Sequence, residues 1–299
     1  MEHYTIALFC RGLRGLGALR NVAAHGEVVP ALTVQLARRA AGAVPTNIAR
    51  AAAGMRPVIE FQFMGFLHSA LDQLIAHASR LRHRTRGTLS CPVVYRAPYG
   101  GGVKAPEHHS ESTEAILSHI PGLRVIIPSS PQLAYHLLKQ AIAINDPVVF
   151  LEPTKLYRQE ADIDLDANIK LGRVQIIRPG LDLTLISWGA QINECLTIAQ
   201  HYEQEYGIEI QIVDLSSLNP IDLDGLLSAV SKTNNALVVH EAIERGGLGG
   251  EIEGHLRRAR GRRRFGCRRD GVGGPSPPHP LLKNYTIESA FRGSRASGL

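Results

Sequence analysis

The chain has 299 residues, 44% of them apolar, and a formal net charge of +6, which is length and apolar material for two domains with cores of their own. No run of about 18 or more apolar residues occurs, so no transmembrane helix is expected, and residues 1–20 lack the basic start, apolar core and small-residue cleavage site of a secretory leader. The charge sits in one place, since eight arginines and no acid lie between Arg257 and Arg269, and without that block the chain would be slightly acidic.

Cys10, Cys91, Cys195 and Cys267 stand far apart and show no metal or redox spacing. They read as reduced thiols of a cytoplasmic protein. A basic tail can bind nucleic acid or a membrane surface, and that reading is kept as a minor one beside the motifs that follow.

In residues 1–53 Glu2 and Glu27 are the only acids and serine is absent. Alanine, glycine and arginine dominate, the fit to a transit peptide is partial, and no convincing strand is expected. Order begins near Met55. PVIEFQF at 57–63 alternates as a strand does. Leu67, Leu71, Leu74, Ile75, Ala78 and Leu81 then recur at helical spacing up to about Arg82. Further strands are expected at 91–96, 123–127 and 148–152, and helices at 111–119 and 132–144. Strand and helix at such short intervals predict a parallel sheet with helices on both faces.

Residues 153–170 are poor in apolar positions and suit an interdomain linker. A second α/β unit follows. Strands are expected at 183–187, 208–214 and 236–240. A helix at 191–206 should place Cys195, Ile198, Ala199 and Tyr202 on one face, and 222–231 is also read as helical. Gly246, Gly247, Gly249 and Gly250 open another helix, whose pattern fails at about Glu253. The glycines could form a phosphate cradle, but close packing is the preferred reading.

The motif-bearing centre runs from Arg96 to Pro131. A β-branched strand end leads into Gly100-Gly101-Gly102, then His108 and His109, a Ser/Glu-rich helix start and a second apolar strand. A histidine on a loop between strand and helix is where open α/β sheets place chemistry. With GMRPVIEFQF (54–63), PYGGGVKAPEHHSES, PGLRVIIPSSP, DPVVFLEPTKLYR (146–158), LSSLNPID (215–222) and VVHEA…GGLGGEI (238–252), residues 54–252 resemble the β subunits of the thiamine diphosphate-dependent decarboxylating component of 2-oxo acid dehydrogenase complexes, of pyruvate and branched-chain types together.

The resemblance implies an α/β fold: a transketolase-like pyrimidine-binding domain with a parallel sheet, then a smaller C-terminal α/β domain. The expected divisions are residues 1–53 as part of the first domain, 54–155 as its body, 156–172 as linker and 173–299 as the second domain. It further implies an α2β2 heterotetramer docked on a lipoyl acyltransferase core, with a small 2-oxo acid as substrate. The α subunit would hold magnesium and the diphosphate, and this chain would supply the aminopyrimidine pocket. In keeping with that division, no GDG-then-NN magnesium motif occurs here.

The cofactor is the electron sink in such chemistry, so the protein orients groups and moves protons, a task histidine suits. His109 stands at the family's His-Ser position and is the expected catalytic and cofactor-contacting residue. His108 is secondary, and His119 reads as a helix-end contact. Gln62 and Phe66 fall where the family lines the pyrimidine pocket, Phe66 replacing a tyrosine. Strand-end polar group and core aromatic are the plainer readings of the two. The family can also hold potassium on backbone carbonyls, here those of Ala141, Ile142, Ile144 and Asp146.

Two departures stand out. Family members carry a glutamate about fourteen residues before the glycine of GMRPV, where it bonds the pyrimidine and promotes the reactive tautomer. That position is Ala40, and no acid lies between Glu27 and Glu60. The arginine block also sits where the second domain should finish. Both stretches, 1–53 and about 253–273, are Arg/Ala/Gly-rich, as an out-of-frame reading of GC-rich DNA is, and are read as frame errors. The leading expectation is a pyruvate dehydrogenase-type β subunit. Its alternatives are the branched-chain type and a degenerate, non-catalytic subunit.

Overall fold

The computed structural model describes residues 32–37, 40–104, 109–259 and 286–288, and for 32–43 and 286–288 the backbone alone. The described residues fall into two units divided after Arg173, with Ser216–Ile221 belonging to the first.

The first unit comprises β1 (Leu32–Ala37), α1 (Ala40–Ala52), β2 (Arg56–Phe61), β3 (Val94–Tyr99), α2 (Glu114–Ser118), β4 (Arg124–Ile126), α3 (Pro131–Ala143) and β5 (Val148–Pro153). Its strands run parallel in the order β1-β2-β3-β5-β4. β1 corrects the expectation of no strand in residues 1–53, since Leu32 pairs with Arg56 and Ala37 with Phe61. The window LTVQL alternates apolar and polar with period two, a signal hidden by the alanine and arginine around it.

The single helix expected after Phe63 is instead a run of short helical turns from Met64 to Arg84, with a π turn at Leu74–Ala78. The apolar stripe survives the change, because Leu67, Ala70, Leu74 and Ala78 are all buried. At the π turn the Ser79 hydroxyl donates to the Ile75 carbonyl at 3.0 Å, a side-chain bond that competes with regular helical pairing.

Helix α3 begins cleanly. Ser130 accepts from the Leu133 N–H at 3.2 Å and Pro131 takes the first turn. Its Leu133, Leu137, Leu138, Ala141 and Ile142 pack on Val58, Val94, Ile126, Val148 and Phe150 of the sheet. The segment expected as a linker is fastened to this helix. Ile163, Ile169 and Leu171 pack against the same core. Gln132 Nε2 donates to the Asp164 carbonyl at 2.6 Å, and Gln140 Nε2 donates to the Ile169 carbonyl at 2.8 Å.

The second unit contains β6 (Gln175–Arg178), β7 (Leu183–Ser187), α4 (Gln191–Tyr206), β8 (Ile210–Asp214), α5 (Leu223–Thr233), β10 (Ala236–His240), α6 (Leu248–Ala259) and β11 (Thr286–Glu288). Its sheet order is β11-β10-β7-β8-β6, with parallel pairs at the centre and antiparallel edges. Between β8 and α5 the chain lays β9 (Ser217–Asn219) antiparallel on β4 of the first sheet. Asn219 Nδ2 donates there to the carbonyls of Leu123 at 2.6 Å and Ile120 at 3.2 Å.

On α4 the buried stripe is Ile192, Cys195 and Ala199. It is narrower than expected, since Ile198 and Tyr202 are 46% and 42% exposed and Tyr202 turns outward towards Tyr206, ring centroids 5.3 Å apart. Helix α6 carries on past Glu253, where its pattern is expected to fail. Glu253 itself accepts from the Arg257 guanidinium one turn later. Arg260 to Arg269 lie outside the described residues. No described helix is long and apolar enough to cross a membrane.

Candidate active site

Three neighbouring strands of the first sheet each contribute one charge to a single cluster. Glu60 on β2 lies opposite Arg96 on β3, and Glu152 on β5 lies opposite Pro98. Arg96 Nε donates to Glu152 Oε1 at 2.6 Å, both side chains 5% exposed, while Arg96 Nη1 is 3.8 Å from Glu60 Oε2. The Tyr157 hydroxyl donates to the second Glu152 oxygen at 3.2 Å. Burial, with the Glu60 charge, raises the Glu152 pKa more than Arg96 and Tyr157 lower it. Burial alone would lower the Arg96 pKa, but Glu152 and Glu60 outweigh it and the guanidinium stays charged.

The glycine loop leaves from the carboxyl end of β3, the usual place for ligands in such sheets. Its Gly100 N–H donates to the Glu111 carbonyl at 2.9 Å and closes the loop at its base. The Thr154 hydroxyl, just past β5, donates to the Gly101 carbonyl at 2.9 Å. At Gly102, φ is +134° and a Cβ would lie 2.8 Å from Lys155 Cγ and 3.2 Å from the Lys155 nitrogen, so both backbone shape and space ask for glycine.

Beyond the loop, His109 is set among aromatic rings. Its imidazole meets Phe63 edge-on with centroids 4.2 Å apart, and Phe66 at 6.0 Å and 82°. Phe63 is buried, whereas Phe66 is 41% exposed. The Glu111 carboxylate is 3.5 Å from His68 Nε2. The structure therefore brings two of the expected residues, His109 and Phe66, together. Gln62 is exposed directly after β2 and makes no hydrogen bond among the described residues. His108 lies outside the described residues, and His119 is exposed at the end of α2.

Phe63, Arg96 and Glu152 escape the motif reading. A signal for the charged pair exists, one ionic residue inside each of VVYRAPY and VVFLEP, where a buried charge implies a partner. The remaining candidates divide plainly. At Gly247 a Cβ would meet the Ile243 carbonyl at 2.7 Å and His240 Cε1 at 3.0 Å, which is close packing. Burial pushes the Cys91 and Cys195 thiols up to about 12, so neither is a ready nucleophile.

The carbonyls expected to face potassium lie at the end of α3 and just after it. Those of Ile142 and Ile144 accept from Arg56 Nη1 at 3.0 and 2.7 Å, and Asn145 Oδ1 accepts from Arg56 Nη2 at 2.7 Å. Asp146 binds Arg82 and Arg124 through its side chain. Ala141 is buried within the helix. As they stand, these residues do not fit a potassium ion.

Residues 41–160 match the transketolase pyrimidine-binding domain and residues 172–290 the transketolase C-terminal domain. The first match includes residues 41–53 in the domain, and the second runs through the arginine-rich stretch. A solved structure described as a split gene transketolase, inactive beta4 tetramer, superposes with a TM-score of 0.65 at 20% identity, over 81% of this chain and 84% of that one. Fold and domain matches together define a transketolase-like two-domain fold.

In sequence the chain is 42% identical over 208 residues to the pyruvate dehydrogenase E1 component subunit beta of Staphylococcus epidermidis, covering 69% of this chain and 64% of that protein. It is 42% identical over 202 residues to the Bacillus subtilis subunit, 67% and 62% covered, and 40% over 212 residues to that of Acholeplasma laidlawii, 70% and 64% covered. Residues 41–160 and 172–290 thus carry the two transketolase-type domains, and the relatives the chain resembles in sequence are pyruvate dehydrogenase E1 beta subunits. Its matched part spans slightly less than two thirds of their length.

Proposed function

We propose that this chain is the β subunit of a pyruvate dehydrogenase decarboxylating component, acting in the cytoplasm with an α subunit in an α2β2 heterotetramer on a lipoyl acyltransferase core. The 42% identity to subunits of that name carries the reading. Thiamine diphosphate, when bound, supplies the electron sink for carbon–carbon cleavage, and the α subunit would provide its magnesium and diphosphate site.

The chain's own contribution is the pyrimidine side of the pocket. The exposed face of Phe66 fits an aromatic ring. His109, which meets Phe63 edge-on, would steady the substrate carboxylate and hand on a proton during acyl transfer to a lipoyl group. The fit is incomplete at one point. Ala40 stands where the family's glutamate would bond the pyrimidine, so no carboxylate of this chain at that position can promote the reactive tautomer. That residue supports a second reading, an assembled but non-catalytic subunit.

The test is to co-express the chain with its α subunit and assay thiamine diphosphate-dependent decarboxylation with pyruvate and with branched-chain 2-oxo acids. Activity on pyruvate that falls about 100-fold or more in His109→Ala supports the enzyme reading. Preference for branched-chain substrates moves the assignment to that type. A stable heterotetramer with no turnover establishes the non-catalytic reading.

A further inference from the structure

We propose that the guanidinium of Arg56 is the resident cation of the carbonyl cluster at the end of α3, and that this cluster takes no potassium ion. A helix end leaves carbonyl oxygens without N–H partners and carries the negative pole of the backbone dipoles. Helix α3 has no basic residue in its own last turn to meet that pole. The cation comes from elsewhere. Arg56 opens β2, 86 residues before Ile142, and spreads its fork over the Ile142 and Ile144 carbonyls and the Asn145 side-chain oxygen at 2.7–3.0 Å. These distances are those of charge-assisted hydrogen bonds.

The surroundings argue the same way. Asp146 Oδ1 accepts from Arg82 Nη1 at 2.7 Å, and its Oδ2 accepts from Arg124 Nε at 3.0 Å and Nη2 at 2.9 Å. Arg82 and Arg124 thus share the one carboxylate of Asp146, while Arg56 lies on the carbonyls of the residues just before it. Potassium would have to share the Ile142 and Ile144 carbonyls with a guanidinium and would enter beside two further guanidinium groups. A tethered cation also brings no loss of translational freedom on binding, which a free ion must incur.

The experiment is thermal unfolding of the full-length chain, with the α subunit if the two co-purify, in KCl against choline chloride at equal ionic strength. The wild type should show the same midpoint in both salts to within about 1 °C. Arg56→Met should lower it by about 5 °C through loss of charge-assisted bonds and recover part of that loss in KCl alone. A potassium-specific rise of about 5 °C in the wild type, as a bound ligand gives, would overturn the proposal, and so would an Arg56→Met protein as stable as wild type. If Arg56→Met does not fold, Arg56→Lys keeps the charge. It should be destabilised yet blind to potassium, and a potassium-dependent midpoint there counts against the proposal. The readout is independent of turnover, so it stands apart from the functional assignment.

Discussion

Arg96 and Glu152 form a 2.6 Å ion pair beneath the glycine loop, on adjacent parallel strands and with both side chains withdrawn from solvent. Taking two charges out of water is costly, and the pair repays that cost only while both members are present. Glu152→Ala should therefore destabilise the chain by about 3–5 kcal/mol, because it strands a buried guanidinium. Arg96→Met with Glu152→Leu should lie within about 2 kcal/mol of wild type. Urea unfolding of the single and double variants checks both, and equal losses in the two would defeat this account.

His240 is buried, stacked on Trp188 with centroids 5.4 Å apart, and burial lowers its pKa to about 4 from 6.5. The unfolded chain then binds the proton more readily than the folded one between those values. The resulting stability is fully present above pH 6.5 and is lost as pH falls towards 4, by about 3 kcal/mol in all. Trp188 is the only tryptophan, so its fluorescence can follow urea unfolding across that range. His240→Phe should flatten the slope, and a slope unchanged in that variant would assign it to other groups.

Gly122, in the turn before β4, has φ of +84°, and a Cβ there would run into the Ser79 carbonyl oxygen. Backbone strain and a backbone clash combine, and neither partner is a flexible side chain. Gly122→Ala should cost about 3 kcal/mol, read as a lowered urea midpoint with the slope unchanged. Gly207, also at positive φ but with nothing near its Cβ position, should cost about 1 kcal/mol on the same change.

Ala40 is the first residue of α1. If the functional reading holds, Ala40→Glu in the reconstituted heterotetramer should raise the rate of pyruvate decarboxylation by about 100-fold or more, the scale of a positioned proton-transfer group. The same variant without rate gain, in a protein that assembles and binds thiamine diphosphate, would mean that another group already fills the role or that α1 cannot present the carboxylate.

Much of the second unit is legible from residue order, since 183–187, 191–206 and 236–240 have boundaries marked by Gly, Asn or a change of period. β6 and β9 are not. Each is three or four residues long, and SLN in particular is too short for its alternation to signal a strand before its pairing with β4 is known. At the candidate site His109 is readable from its motif, whereas Phe63 reads as one more strand aromatic. The Arg96–Glu152 pairing joins residues 56 apart, and Arg56 acts on backbone carbonyls 86 and 88 residues away. Side-chain identities carry no trace of which carbonyls a distant guanidinium will find.

The return of the chain to the first sheet at β9 has a consequence for biosynthesis. The bonds from Asn219 to Leu123 and Ile120 close loops of 96 and 99 residues, so the outer rim of β4 stays uncovered while a ribosome is still making the next unit's first strands. A nascent chain paused before residue 217 exposes an unpaired edge, the state most open to capture by chaperones or to self-association. An expression fragment ending at Arg173 would be arrested permanently in that state. Grafting residues 216–221 onto such a fragment through a flexible linker should raise its soluble yield.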